Sequence, residues 1–399
     1  MQIHTVSRGD SVFTIARHYG IPPTRLITDN LLEEPGKLAV GQGLLVLFPT
    51  CTHTVRGGET LASIAAAHGR TLLSLYQYNP QLFGSPQIFP GQVLNIAYAP
   101  PQHAPLLVHG YACPTIDRTL LRQTLPYLTY LSLCGYSLCP DGSILPPAGN
   151  MEELFALARA YGTVPLPVLS QAQSESLSAD EDTQAKWIEY AVKLVREGGC
   201  GGVVVAASGC GRFVERLQAA LGEQEVFVPY GPEGTGSAAH TLVQARPWGH
   251  TYDAPGTVSP LPEVCRVLDA VVAKCPPEKL LLGMPNYGMD WPLPYVRGKT
   301  KARALDNGAA VAMAWEKETA IDYDSTADAP TYRYYDRPST FRDAIEHVVW
   351  FQDPRSTSAR LSLLPRYGIP GISVWDLMRP YPALWTLLMQ NFGIQKKQV

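Results

Sequence analysis

Residues Gly201–Gly209, GGVVVAASG, decide the fold. An apolar run of this length between glycines spells a strand buried on both faces. Helical patterns stand before and after it. That combination belongs to the parallel core of an α/β protein, where the C-terminal ends of the strands face the active site of a barrel. At that end of this strand stand Ala206, Ala207 and Ser208. None of them is an acid or a base.

Outward from this strand, seven further segments carry strand signals: Leu106–Ala112, Tyr127–Tyr136, Val164–Leu169, Val226–Tyr230, Thr241–Ala245, Leu280–Pro285 and Gly371–Trp375. Helical patterns separate most of them. Met151–Tyr161 follows Asn150, with Glu153 three residues on, as in a capping box. Glu263–Cys275 places Val264, Val267, Leu268, Val271 and Val272 on one face. Strands alternating with crossover helices predict a (β/α)8 TIM barrel over residues 106–399. Residues 295–356 break the alternation. They mix a helical stretch, Gly308–Lys317, with short aromatic runs such as Tyr332–Tyr335. This segment is expected to be a small α+β insertion on the barrel rim.

The N-terminal quarter is an internal repeat. His4-Thr5-Val6 recurs at His53-Thr54-Val55, an offset of 49 that holds at Gly9/Gly58, Ser11/Thr60, Ile15/Ile64 and Asn30/Asn79. It becomes 50 at Gly41/Gly91 and Gln42/Gln92. Each copy predicts a strand, a glycine turn, a helix capped by Ser11 or Thr60, a second short helix and a closing strand. Gly20 and Gly69 stand where a left-handed helix cap is needed. The expected boundaries are 1–50 and 51–98, followed by a stiff Pro-rich linker at 99–105. Two modules on a short tether would bind a repeating polymer with avidity.

Composition narrows the function. The chain has 399 residues and a net charge of -3, which gives no electrostatic case for nucleic acid or an anionic membrane. No apolar run is long enough to span a bilayer, and MQIHTVSRGDS lacks the basic and apolar regions of a secretory signal. The eight cysteines match no zinc spacing and read as free thiols. No cofactor is called for.

The repeat, with its H-T-V-x-x-G-[DE]-[ST] start and late P-G-Q or V-G-Q, resembles the LysM module. That resemblance implies binding of N-acetylglucosamine-containing glycans, either peptidoglycan or chitin. The implied contacts are Gly9, Asp10, Ser11 and Asn30 in the first copy, and Gly58, Glu59, Thr60 and Asn79 in the second. The same residues also serve plain turn and cap chemistry. The remainder resembles glycoside hydrolase family 18, specifically its spore cortex-lytic N-acetylglucosaminidase branch. The matching stretches are YLTYLSLCGYSLCPDGSI (127–144), LLLGMPNYGMDWPLPY (280–295), HVVWFQDPRS (347–356), GIPGISVWDL (368–377) and WTLLMQNFGI (385–394).

The resemblance implies a glutamate acid at the end of the fourth strand and an aspartate two residues before it. The substrate's own acetamide serves as nucleophile, and the aspartate orients it and tunes the glutamate. Here the glutamate position is Ser208 and the aspartate position is Ala206. A Tyr-Asp pair expected on the sixth strand is replaced by Arg246-Pro247. What remains is sugar-binding surface. Trp375 matches the tryptophan that floors the central subsite, and Trp248, Tyr287 and Asp290 lie in neighbouring loops. Aromatic faces stack on pyranose rings. For Trp291 and Trp350 a core or rim role is the plainer reading. As a relocated acid, Glu215 lies too far along the next helix. Asp290 sits on a suitable loop, and Asp376 points outward if strand alternation continues.

Three functions follow from this sequence: a glycan-binding protein of the spore or cell wall without hydrolysis, a glycosidase with a relocated acid, and a structural partner of spore-coat proteins. Synthesis in a sporulating cell with deposition on the cortex, coat or wall fits the first.

Overall fold

The computed structural model describes residues 1–171, 179–207, 210–231, 238–244, 251–336 and 344–397. The first repeat forms β1 (Gln2–Thr5), α1 (Val12–Tyr19), α2 (Pro23–Asp29) and β2 (Gly43–Val46). β1 and β2 pair antiparallel. The second repeats the path with β3 (Cys51–Thr54), α3 (Leu61–Ala67), α4 (Leu72–Tyr78) and β4 (Val93–Ala97). Ser11 and Thr60 cap α1 and α3 through capping boxes closed by Thr14 and Ser63. Val12, Ile15, Leu26, Leu44 and Val46 fill the first core, and Leu61, Ile64, Leu75, Leu94 and Ile96 the second.

The modules are docked, which corrects the expectation of a tethered pair. In β2, Leu44 and Val46 face the module's own core, while Leu45 and Leu47 join the main core of the barrel. Alternation along a strand puts these sets on opposite faces, so β2 is buried on both. In β4 the counterpart of Leu45 is Asn95. Its amide reaches across to the first module, accepting from Arg25 at 2.7 Å and donating to Asp29 at 3.4 Å. The second module is also held to the barrel, by Gln77 donating to the Pro126 carbonyl at 2.8 Å. The Pro-rich segment runs along the barrel surface. His103 stacks on Phe392 with ring centroids 5.0 Å apart.

The barrel strands are β5 (Leu107–Ala112), β6 (Tyr130–Leu138), β8 (Val164–Gln171), β9 (Gly202–Val205), β10 (Glu225–Pro229), β11 (His240–Val243), β12 (Leu280–Pro285) and β18 (Gly371–Trp375). A short β7 (Ile144–Leu145) returns antiparallel onto β6. The eight pair in parallel in the order β5-β18-β12-β11-β10-β9-β8-β6, and β5–β6 pairing closes the ring. Among the described residues the crossovers include α5 (Arg118–Thr124), α6 (Met151–Ala160), α7 (Glu181–Gly198), α8 (Gly211–Leu221) and α9 (Leu261–Val272). Asn150 caps α6 by accepting from the Glu153 amide at 3.1 Å. Gly202 is required where it stands. Its φ is +153°, and a Cβ there would lie 1.8 Å from the Glu225 carbonyl oxygen.

The rim insertion begins earlier than the sequence indicates. Five antiparallel strands, β13 (Tyr287–Pro292), β14 (Arg303–Asp306), β15 (Asp322–Asp324), β16 (Ala329–Asp336) and β17 (Ile345–Trp350), pair in the order β14-β13-β17-β16-β15. They carry α10 (Asn307–Glu316). Only Asn286 separates β12 from β13, so the two read as one apolar segment in sequence.

Candidate functional site

Inward-facing side chains pack the barrel in layers. Val204, Phe227, Leu242 and Leu281 belong to the interior cluster, while Val203, Val205, Val226 and Val228 face the helices. In the middle, buried His109 lies 2.8 Å from Ser373 Oγ and 2.6 Å from Ser132 Oγ. Burial, reinforced by nearby His240, pushes its imidazole down to about 3, so it stays neutral.

At the mouth, Cys134, Ala206 and Trp375 close the interior cluster. The backbone amide of Ala206 donates to Leu169 at 2.8 Å, which aligns the end of the fourth strand with the third. Ala206 therefore faces inward, against the same interior cluster as Trp375, and offers a methyl group. Ser208, Arg246, Pro247 and Trp248 lie outside the described residues. Tyr111, which the sequence did not single out, packs edge-on against Trp375 with centroids 4.7 Å apart. Burial pushes its phenol far above the ordinary range. Burial, with the charges of Cys113 and Asp376, pushes the Cys134 thiol up to about 12, so it is no thiolate nucleophile.

Asp376 is partly buried, directly follows Trp375 at the end of β18, and its charge helps raise the thiols of Cys113 and Cys134. Oδ1 is buried and has no hydrogen-bond partner among the described residues. Burial raises its pKa, against the opposing pull of Arg379. Asn286 fixes the backbone here by donating to the carbonyls of Asp376 at 2.7 Å and Arg379 at 3.0 Å. Arg379 pairs with Asp306 at 2.6 Å and lies 5.9 Å from the centre of the Tyr287 ring. Tyr287 and Trp375 are thus joined at one rim through Arg379 and the β18 end.

Asp290 does not belong there. It is 2% exposed inside the insertion sheet. Its carboxylate lies 2.8 Å from His347 Nδ1, accepts from Tyr334 at 3.0 Å and from Arg303 at 3.1 Å. All its capacity goes to holding β13, β14, β16 and β17 together. It is neither a sugar contact nor an available acid. Trp291 is likewise a core residue, donating from its indole to the Asp253 carbonyl at 2.9 Å. Glu215 lies on the solvent face of α8.

In the modules, the side chains expected to touch glycan are bound internally. Asn79 is fully buried; it donates to the Leu75 and Asn95 carbonyls and accepts from the Asn95 amide. Asn30 makes the same bridge from α2 to β2 through Leu26 and Leu45. Asp10 accepts from the Ser7 amide at 2.7 Å and lies 3.1 Å from His4 Nε2. Those contacts, the Ser7 amide foremost, lower its pKa. Glu59 repeats the arrangement with His53 at 2.8 Å and the Arg56 amide at 2.7 Å. Ser11 and Thr60 serve as caps. The open groups are the backbone of Gly9 and Gly58, both in the left-handed region with nothing within 4 Å of an added Cβ. The two most exposed aromatics of the modules went unnoticed in sequence: Phe13 on α1 and Phe89 before β4. An isolated phenylalanine carries no pattern that marks it as exposed.

Among the described residues no cluster of three His, Cys, Asp or Glu could hold a metal ion. No disulfide joins the cysteines among the described residues. No described helix is long and apolar enough to cross a membrane.

The LysM domain family matches residues 4–46 and 53–97. Along its whole length the chain is 28% identical to a cortical fragment-lytic enzyme of Bacillus anthracis, over 445 residues covering 100% of both chains. It is also 28% identical to a putative sporulation-specific glycosylase, YdhD, of Bacillus subtilis, over 99% of this chain and 100% of that one. The fold superposes on the spore cortex-lytic enzyme SleL of Bacillus cereus with a TM-score of 0.78 at 28% identity, covering 99% of each chain. The barrel alone aligns with the C-terminal domain of a putative chitinase from Desulfitobacterium hafniense, TM-score 0.62 at 21% identity, covering 72% of this chain and 99% of that one.

Proposed function

We propose that this chain, two LysM domains fused to a barrel that matches the cortex-lytic enzymes end to end, binds N-acetylglucosamine-containing glycan of the spore cortex or cell wall without cutting it. The observation that carries this reading is Ala206. The inward end of the fourth strand offers a methyl group, against the same interior cluster as Trp375, where the related chemistry needs a carboxylate, and Ser208 follows it in sequence. A serine hydroxyl holds its proton far too tightly to serve as a general acid near neutral pH. General acid catalysis contributes about 10²–10⁴-fold, and positioning of the acetamide adds to it. Without both, turnover falls below ordinary detection while aromatic surfaces still stack on sugar. The test is cosedimentation of the full chain with purified cortex peptidoglycan at low and high salt. Retention is expected at both. Protein left in the supernatant at both would defeat the assignment.

One observation favours a second reading, a glycosidase with a relocated acid. Asp376 is a carboxyl at the C-terminal end of β18, raised in pKa by burial and directly following Trp375. A raised pKa is the direction in which a general acid is tuned. Asp376→Asn separates the readings: it abolishes turnover in the second and changes nothing in the first, where there is no turnover to lose.

A further inference from the structure

The two modules share a chain path but not an environment. Gly41 and Gly91 occupy the same place in the repeat. At Gly41 an added Cβ would lie 1.9 Å from the Ile321 carbonyl oxygen, whereas at Gly91 it would meet nothing within 4 Å. The reason is that the first module's loop is seated on the rim insertion. The Ile321 amide donates to the Val40 carbonyl at 2.8 Å, and Arg355 donates to the Gly41 carbonyl at 2.8 Å. Ala39 is buried in the insertion's own core.

The matching loop of the second module is Phe89-Pro90-Gly91, and it is open. Phe89 is 68% exposed. Val55 holds this loop beside the turn that follows β3: the Gly91 amide donates to the Val55 carbonyl at 2.8 Å, and the Val55 amide to the Gln92 carbonyl at 2.9 Å. In that turn Gly57 and Gly58 also face open space. An exposed apolar ring therefore belongs to a loop tied through Val55 to a turn whose glycines face open space. A pyranose matches this pairing, since it has an apolar C–H face and a rim of hydroxyls, and an N-acetyl group adds an amide donor and acceptor.

We infer that glycan loads on the second module, with Phe89 as its stacking platform, and that the first module is committed through residues 39–41 to holding the barrel insertion. This inference rests on the proposed glycan-binding function and divides it unequally between the two repeats. Phe13 serves as the matched comparison. It is 71% exposed on α1 of the first module, and its counterpart in the second is Ala62.

The experiment is calorimetric titration of the full chain with an N-acetylglucosamine tetramer, using wild type, Phe89→Ala, Phe89→Trp and Phe13→Ala. Phe89→Ala is expected to weaken binding about tenfold, the scale of one lost aromatic stack. Phe89→Trp should bind at least as well as wild type, and Phe13→Ala should match wild type. Because Phe89 is exposed, its variants should melt with wild type, so weaker binding reports on the site. Wild-type binding left unchanged by Phe89→Ala, or weakened by Phe13→Ala instead, overturns the assignment of the site while glycan binding stands. No binding by wild type overturns the functional reading itself, and this inference with it.

Discussion

At the scale of single residues, the mouth chemistry rests on three side chains. Ala206 brings no proton, Cys134 holds its proton too tightly, and Asp376 is a partly buried carboxyl at the C-terminal end of β18. Converting Ala206→Asp and Ser208→Glu together should leave activity well short of an intact enzyme, because Arg246-Pro247 still lacks a group to hold the acetamide. A reducing-end assay at several pH values checks this. Asp290 illustrates a limit of local reading. Its place in a loop-like segment with Tyr287 and Trp291 fits a rim acid, yet it is the shared acceptor of an ion-paired sheet core. Asp290→Ala strands His347, Tyr334 and Arg303 and should cost about 3–5 kcal/mol. Glycan retention at temperatures below the transition should not change. Thermal denaturation alongside cosedimentation separates the two effects.

At the scale of elements, the strands were legible because parallel barrel strands are continuous apolar runs. The bounds of β12 and β18 match the sequence reading end to end. The start of the insertion was not legible, since β12 and β13 are separated by Asn286 alone and no turn signal marks the change from barrel to antiparallel sheet. The docking of β2 was partly legible: Gly43–Phe48 is apolar at successive positions, which one buried face does not require. Leu45→Asp should therefore loosen the first module from the barrel, and proteolysis in the 98–105 segment would report it. At the opposite end of the barrel, Glu225 ties β10 to the C-terminal segment. Lys397 reaches its oxygens at 2.8 and 2.9 Å, His240 lies at 3.1 Å, and Tyr130 donates at 2.7 Å. Burial alone would raise this carboxyl, but these hydrogen bonds overcome it and hold it at about 2. Its folded pKa is thus below the unfolded value of about 4.3. The stability it contributes is fully present above pH ~4.3 and is lost as pH falls through about 2. Lys397→Met should shrink that dependence, read as flatter denaturation midpoints between pH 5 and pH 2.

At the scale of the whole molecule, the modules and barrel form one packed body in which the tandem repeat is asymmetric. A chain of this length packed as a single body has a radius of gyration of about 21 Å. Small-angle scattering should give a value near that, and a clearly larger one would mean swinging modules and restore the avidity argument. The repeat itself was legible in sequence, but its inequality was not, because Gly41 and Gly91 are identical residues and differ only in what lies against them. The central claim is that this body holds glycan without cleaving it. Its most direct test is a time course of purified cortex fragments incubated with the full chain, with the products analysed by mass spectrometry and the bound protein quantified in the same tubes. The account predicts retained protein and no new N-acetylglucosamine reducing ends, for wild type and Asp376→Asn alike. Sustained product release by wild type that disappears in Asp376→Asn would contradict it.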